Sequence, residues 1–122
     1  MDDKELTILA AKAVGIDHPG GDHSRYDDGR LWDCKGLRWW NPLADDGDAL
    51  RLAVKLCMGV IHNDPRGQRL YVSADASRFV DPIFEAFTAT EEFDTEDDRP
   101  AATRRAIVRA AAGIARQESS NE

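Results

Sequence analysis

No run of apolar residues in this chain is long enough to cross a bilayer, and the opening MDDKELTILAAKAVG lacks the basic start and apolar middle of a signal peptide. A cytosolic location is therefore expected. Cysteine is scarce. The two present, Cys34 and Cys57, stand in unrelated contexts with no CxxC spacing, which points to reduced, half-buried thiols rather than to a disulfide. Phosphate-cradling motifs are missing as well, because PGGDHS has neither the GxGxxG nor the Walker spacing. Basic charge is short: 16 Lys and Arg stand against 23 Asp and Glu, for a net charge of −7. That balance argues against general nucleic-acid binding, since a phosphate backbone rewards clustered cations.

Two-fifths of the 122 residues are apolar and about a third are charged, as expected for one globular domain with a single core. Residues 1–117 read as that domain, followed by a frayed tail at 118–122. Charge is segregated. EEFDTEDD (91–98) holds six carboxylates, whereas 99–116 holds Arg99, Arg104, Arg105, Arg109 and Arg116 with no acid. The body is acidic and one helix is basic.

The spacing predicts a helix over 3–14, capped by Asp2 or Asp3, with Leu6, Leu9, Ala10 and Ala13 as its apolar stripe and Gly15 as its stop. Residues 17–30 are turn formers and charges, hence a loop. A β-ribbon is expected at 30–34 and 37–40, where a turn at Lys35-Gly36 or longer sets Asp33 against Arg38 and Trp32 against Trp39. Trp39 and Trp40 are consecutive, so they point to opposite faces. One of them, with Trp32, is expected to reach the core. A second helix follows Asn41-Pro42, with Asp45 as N-cap and Asp48 near the positive end of the dipole. Two apolar stripes, Leu50–Ala53–Val54–Cys57 and Ala49–Leu52–Leu56, leave Asp48, Arg51 and Lys55 as the wet face and predict cover on more than one side. VIHNDPRGQRLYV reads as a hairpin of strands 58–62 and 69–73 around a type I turn, with Gly67 at a left-handed bulge position. Residues 83–90 are read as a further strand, with a helix after Asp81 as the alternative. The acidic 91–98 is read as a loop. The last helix starts after Asp98 with Pro100 in its first turn; small residues at 106, 110 and 113 permit close packing, and Arg105, Arg109 and Arg116 share its outer face. The expected fold is α+β, a mostly antiparallel sheet with helices packed on it, in the order α-β-β-α-β-β-β-α.

Two strings, WNPLADDGDALRLAVKL (40–56) and AATRRAIVRAAAGIA (101–115), resemble the paired signatures of a family of small phage and prophage proteins, the phage ABA sandwich domain. The N-terminal ELTILAAKAVGI is similar to that family's first helix. AAGIAR stands where the family more often has an acid and then a glycine, and the stretch from His62 to Glu92 is longer and more aromatic. The resemblance implies a phage origin, a bacterial cytosol and a layered α+β fold, and it brings no catalytic residue.

Candidate chemistry is thin. His18, His23 and Cys34 with Asp22 or Asp33 have the residue types of a zinc site but not the short, turn-like spacing, so no metal is expected. Cys34 or Cys57 with His62 lacks a third group to orient a base, and Cys57 closes an apolar stripe, which suits inert packing. The carboxylates of DDGD are accounted for by capping, and those of 91–98 by solvation; no dry acid–base pair is indicated. Neither catalytic residues nor a cofactor are expected, and the chain is read as a binding protein. The expected contact surface is Trp39 and Trp40 with Glu92, Asp94, Glu96 and Asp97, since an exposed indole beside carboxylates suits a protein interface. Together with the resemblance, this predicts an acidic phage accessory protein that binds a bacterial host protein. In its sharpest form it is an anti-CRISPR-like inhibitor of a nucleic-acid-binding defence complex, its carboxylates standing in for phosphates. The alternative is a nucleotide-binding protein, or sponge, using Arg105 and Arg109.

Overall fold

The computed structural model describes residues 2–16, 26–33, 35–64, 66–80 and 83–120. Helix α1 (Asp3–Ala13) starts where Asp2 accepts the Glu5 amide, and Gly15, at φ +80°, ends it. The Ile16 amide reaches Ala11 O and the Gly15 amide reaches Lys12 O, the paired bonds of a Schellman stop. Strands β1 (Tyr26–Asp27), β2 (Arg30–Asp33) and β3 (Arg38–Trp40) form one antiparallel sheet. Trp32 faces Trp39 and Asp33 faces Arg38, as the ribbon reading predicts. The β2–β3 turn is the longer form: Leu37 sits at φ 53° and the Asp33 carboxylate accepts the Lys35 and Gly36 amides. Part of the expected 17–30 loop is instead strand. Asp28 and Gly29 both have positive φ, as a type I′ hairpin turn requires, and the Asp-Gly pair was the signal for it.

Helix α2 (Asp46–Lys55) is capped by Asp45, which accepts the Asp48 amide. It ends in a second Schellman stop, with Met58 N–H on Ala53 O and Cys57 N–H on Val54 O. Cys57 takes the left-handed position at φ 53° and is exposed, so it does not close a buried stripe. Beyond it, β4 (Gly59–His62), β5 (Leu70–Asp75) and β8 (Thr88–Phe93) form the second antiparallel sheet, with β5 central. The β4–β5 turn closes with the Gly67 amide on Asp64 O. Gly67 is not in the left-handed region; a Cβ there would lie 3.2 Å from Asp64 O. Pro65, the expected second turn residue, lies outside the described residues.

The expected strand over 83–90 is two strands. β6 (Arg78–Val80) and β7 (Ile83–Glu85) make a separate hairpin, and β8 then runs into the acidic segment. Glu91 and Glu92 are thus strand residues, and Glu96–Asp98 is a short 3-10 helix leading into α3. Asp98 lies inside that turn, its carboxylate accepting the Thr95 hydroxyl. Helix α3 (Arg99–Ser120) overlaps the expected frayed tail in its last turn.

Helix α3 is the hub, touching α1, α2, β5 and β8. Its run of small residues makes this possible: Ala106, Ile107, Val108, Ala110, Ala111, Ala112, Ile114 and Ala115 are all buried. A helix apolar on nearly every side belongs inside the core. Val72, Ala74 and Ala89 complete that core from the sheet, and Leu31 with Trp40 from the ribbon. The class is α+β, with antiparallel sheets and helices in the predicted order.

Candidate functional site

The ribbon resolves the tryptophan question. Trp40 is 5% exposed and enters the core, while Trp39 is 38% exposed. Residues directly opposite share a face, so Trp32 follows Trp39 outward and Leu31, not Trp32, accompanies Trp40. The two outer indoles meet edge to face at 5.4 Å, and the Arg30 guanidinium lies 4.3 Å from the Trp39 ring. Of the two consecutive tryptophans, only Trp39 is placed to meet a partner.

The expected acidic contact residues sit on the other sheet and the turn after it. Glu92 pairs with Arg69, and Glu96 holds Arg99 by two bonds of 2.6 and 2.8 Å. Asp94 and Asp97 are exposed. Among the described residues no hydrogen bond, ion pair or ring contact joins these acids to Trp39. The arginine alternative is engaged at close range. Arg105 Nη1 lies 2.8 Å from Asp3 and Arg109 Nη1 lies 2.7 Å from Glu91, with Thr90 O at 3.2 Å. Both guanidiniums converge on Glu91, because β8 carries that residue onto the α3-facing side of the sheet.

His18, Asp22, His23 and Cys34 lie outside the described residues. Asp33 is spent on turn amides. Among the described residues, no group of three or more His, Cys, Asp and Glu could hold an ion.

One surface that sequence reasoning did not single out lies between α2 and β4. The expected second cover over α2 is absent among the described residues: Leu50 and Val54 are 63% and 67% exposed, while Asp48, expected on the wet face, is 3% exposed. The helix is rotated so that Ala49, Leu52 and Ala53 meet the core. Asp48 turns inward because its carboxylate gathers three donors, Arg38 Nη2 at 2.5 Å, Arg51 Nη2 at 2.7 Å and the Asn41 amide at 2.9 Å. The groove this leaves has a volume of about 500 Å³, with a floor of Ala49, Ala53 and Ile107 and walls of Leu50 and Val60.

Strand β4 borders the groove and is exposed along its whole length. It pairs with β5 on one side only, and no described strand pairs with its other side. The Asn63 amide bonds Tyr71 O. In an antiparallel ladder, bonded positions alternate, so Ile61 and Gly59 also bond towards β5. The N–H and C=O groups of Val60 and His62 therefore point to the open edge. The side chains of Val60 and His62 share the α3-facing side with Ala74 and Val72, their register partners.

The His62 end of this edge is tied to the acidic turn. Arg99 Nη1 stands 2.9 Å from His62 Nδ1, and Arg99 Nη2 donates to Asn63 Oδ1 at 2.7 Å. A guanidinium only donates, so Nδ1 accepts and Nε2 holds the imidazole proton. The paired Arg99 holds the Glu96 carboxyl below the usual glutamate range, and Glu96 in turn raises the guanidinium.

Compared with known proteins, the chain matches no family model, no curated protein and no solved structure. The likeness to the phage ABA sandwich domain rests on its helical strings alone. Among the described residues no helix is long and apolar enough to cross a membrane.

Proposed function

We propose that this protein acts by binding another protein, without catalysis, and that the partner adds an extended segment to the open edge of β4. The observation that carries this reading is the coincidence of free backbone groups at Val60 and His62 with an apolar groove on the same side of the strand. Main-chain bonds to an exposed edge supply affinity, and side chains at alternate positions fill the groove and supply specificity. An uncovered apolar edge is an aggregation hazard. Its presence beside exposed Leu50 and Val54 favours a surface kept for a partner.

Charge specifies the partner further. Ion pairs between Asp46 and Arg104 and between Glu96 and Arg99 rim the groove, so the side chains that enter it are apolar. Of the acidic candidates, Glu96 lines the groove beside His62, and the exposed Asp97 follows it in the chain, so the segment carries basic residues at that end. A basic host protein, such as one that handles nucleic acid, fits this description. The finer reading, a phage accessory protein that inhibits a bacterial defence system, draws its support from the resemblance and the net charge of −7.

Val60→Pro tests the proposal. Its N–H faces the open edge, so proline there removes no β5 bond but blocks strand addition. The wild-type protein, used as bait in a bacterial lysate, is expected to retain one protein at stoichiometric yield, with the Val60 and His62 amides protected from exchange in the complex. Val60→Pro is expected to stay folded and lose that protein. A partner held equally by both forms, or bound with those amides unprotected, refutes strand addition at this edge.

A further inference from the structure

We propose that the cavity between the ribbon turn and the C-terminal halves of α1 and α2 binds a small phosphomonoester carrying a flat apolar body, of the size of a nucleoside monophosphate. The cavity has a volume of about 430 Å³, within the range of ligand pockets. Lys35 from the β2–β3 turn, Arg38 from β3, and Arg51 and Lys55 from α2 all line it, and among the described residues Asp33 is the one carboxylate in the lining. Four cations gathered on one cavity run against the charge of a chain with net −7.

The local acids leave this positive field standing. Asp33 Oδ1 is occupied by two backbone amides, at 3.0 and 3.1 Å. Asp48, buried behind the cavity, takes one Nη2 from each of Arg38 and Arg51, and each guanidinium has further N–H donors in its fork. Asp45 touches Arg51 at 3.8 Å from the exposed side. Lys35 and Lys55 have no ion pair among the described residues. The C-terminal ends of α1 and α2 put the negative ends of two helix dipoles near the cavity, softened at α1 by the Schellman bonds to Ala11 O and Lys12 O and offset by the four cations.

The remaining wall is apolar: Ile16 is half-buried, and the edges of Trp40 and Leu52, 5% and 2% exposed, reach the cavity beside it. A ligand with one compact dianionic end and one flat apolar end therefore meets complementary groups at both: forked and point cations for the phosphate, and Ile16 with the edge of the Trp40 indole for the body. Asp48 holds Arg38 and Arg51 in place before any ligand arrives, which lowers the entropy cost of binding. This site is separate from the β4 edge and shares no lining residue with its groove.

The test is a titration followed by the indole N–H resonances, with Trp40 as reporter and the outward Trp39 as internal control. The probes are AMP, adenosine and inorganic phosphate. AMP is expected to shift the Trp40 resonance saturably at sub-millimolar concentration and to bind at least about tenfold more tightly than adenosine, because the charge-assisted bonds go to the phosphate. Lys35→Ala/Lys55→Ala alters two exposed, unpaired side chains and is expected to keep the Trp39 resonance while weakening AMP by about tenfold. No saturable shift with AMP, or equal binding of AMP to the wild type and the double variant, overturns the proposal. Equal binding of adenosine overturns the anionic half, and inorganic phosphate binding as tightly as AMP overturns the apolar half. The Val60→Pro variant should bind AMP as the wild type does, which keeps this outcome independent of the edge-strand reading.

Discussion

Replacing Asp48 with alanine removes the shared acceptor on which the β3–α2 junction converges, and its cost can be worked from the partners it leaves. The Asn41 amide loses its acceptor in a part-buried setting, a loss of about 1–2 kcal/mol. Arg38 and Arg51 also lose a partner, but their side chains are 45% and 58% exposed and rehydrate, so each pair contributes only about 0.5 kcal/mol. Alanine returns about 0.5 kcal/mol in helix propensity. The net expectation is a loss of about 2 kcal/mol. Asp48→Asn keeps an acceptor oxygen and should cost about half as much. Arg38→Ala should cost only about 0.5 kcal/mol, since Arg51 and Asn41 still satisfy the carboxylate. Urea unfolding followed by far-ultraviolet circular dichroism measures all three, and unchanged m-values confirm that stability alone has moved. A loss below about 0.5 kcal/mol for Asp48→Ala, or an equal loss for Arg38→Ala, would refute the shared-acceptor account.

Two helix stops make opposite predictions. Cys57 is a non-glycine residue in the left-handed Schellman position, with an exposed side chain, so Cys57→Gly should stabilise by about 0.5–1 kcal/mol, read as a rise in Tm. Gly15→Ala forces a side chain into φ +80° with open space around it, so it should destabilise by about 1 kcal/mol from backbone strain alone. The Glu96–Arg99 pair sets a pH dependence. Because folding lowers the Glu96 pKa, its contribution is present above the unfolded carboxyl value and lost as pH falls through the folded one. Glu96→Gln should therefore flatten the acid limb of a stability–pH curve while leaving the limb above neutrality unchanged; an identical acid limb would count against the pair.

Much of the local structure was legible in advance, for reasons that are themselves local. Asp2 and Asp45 cap their helices because a short carboxylate before an apolar period satisfies an orphan amide whatever lies beyond. The ribbon register follows from Asp33 and Trp32 meeting Arg38 and Trp39 across a turn. The Asp28-Gly29 hairpin is equally local, although the charges around it read as loop. The functional surfaces were legible only in part. Trp39 was a candidate, but nothing local distinguishes it from Trp40.

The caps at Asp2 and Asp45, the alternation of the ribbon and the turn closed on Asp64 depend on neighbours within a few positions, so they are encoded in the string of residues and hold in the fold. Burial depends on which distant element arrives to cover a face. That is why Asp48 went inward, bonded to the exposed Arg38 and Arg51, while Leu50 and Val54 stayed outside, and why Glu91 reached Arg105 and Arg109 across the sheet–helix interface. The open edge of β4 and the cationic cavity beside Trp40 exist for the same reason. Each is set by how α2 packs against α3 and the ribbon, and so by contacts that no short stretch of the chain contains.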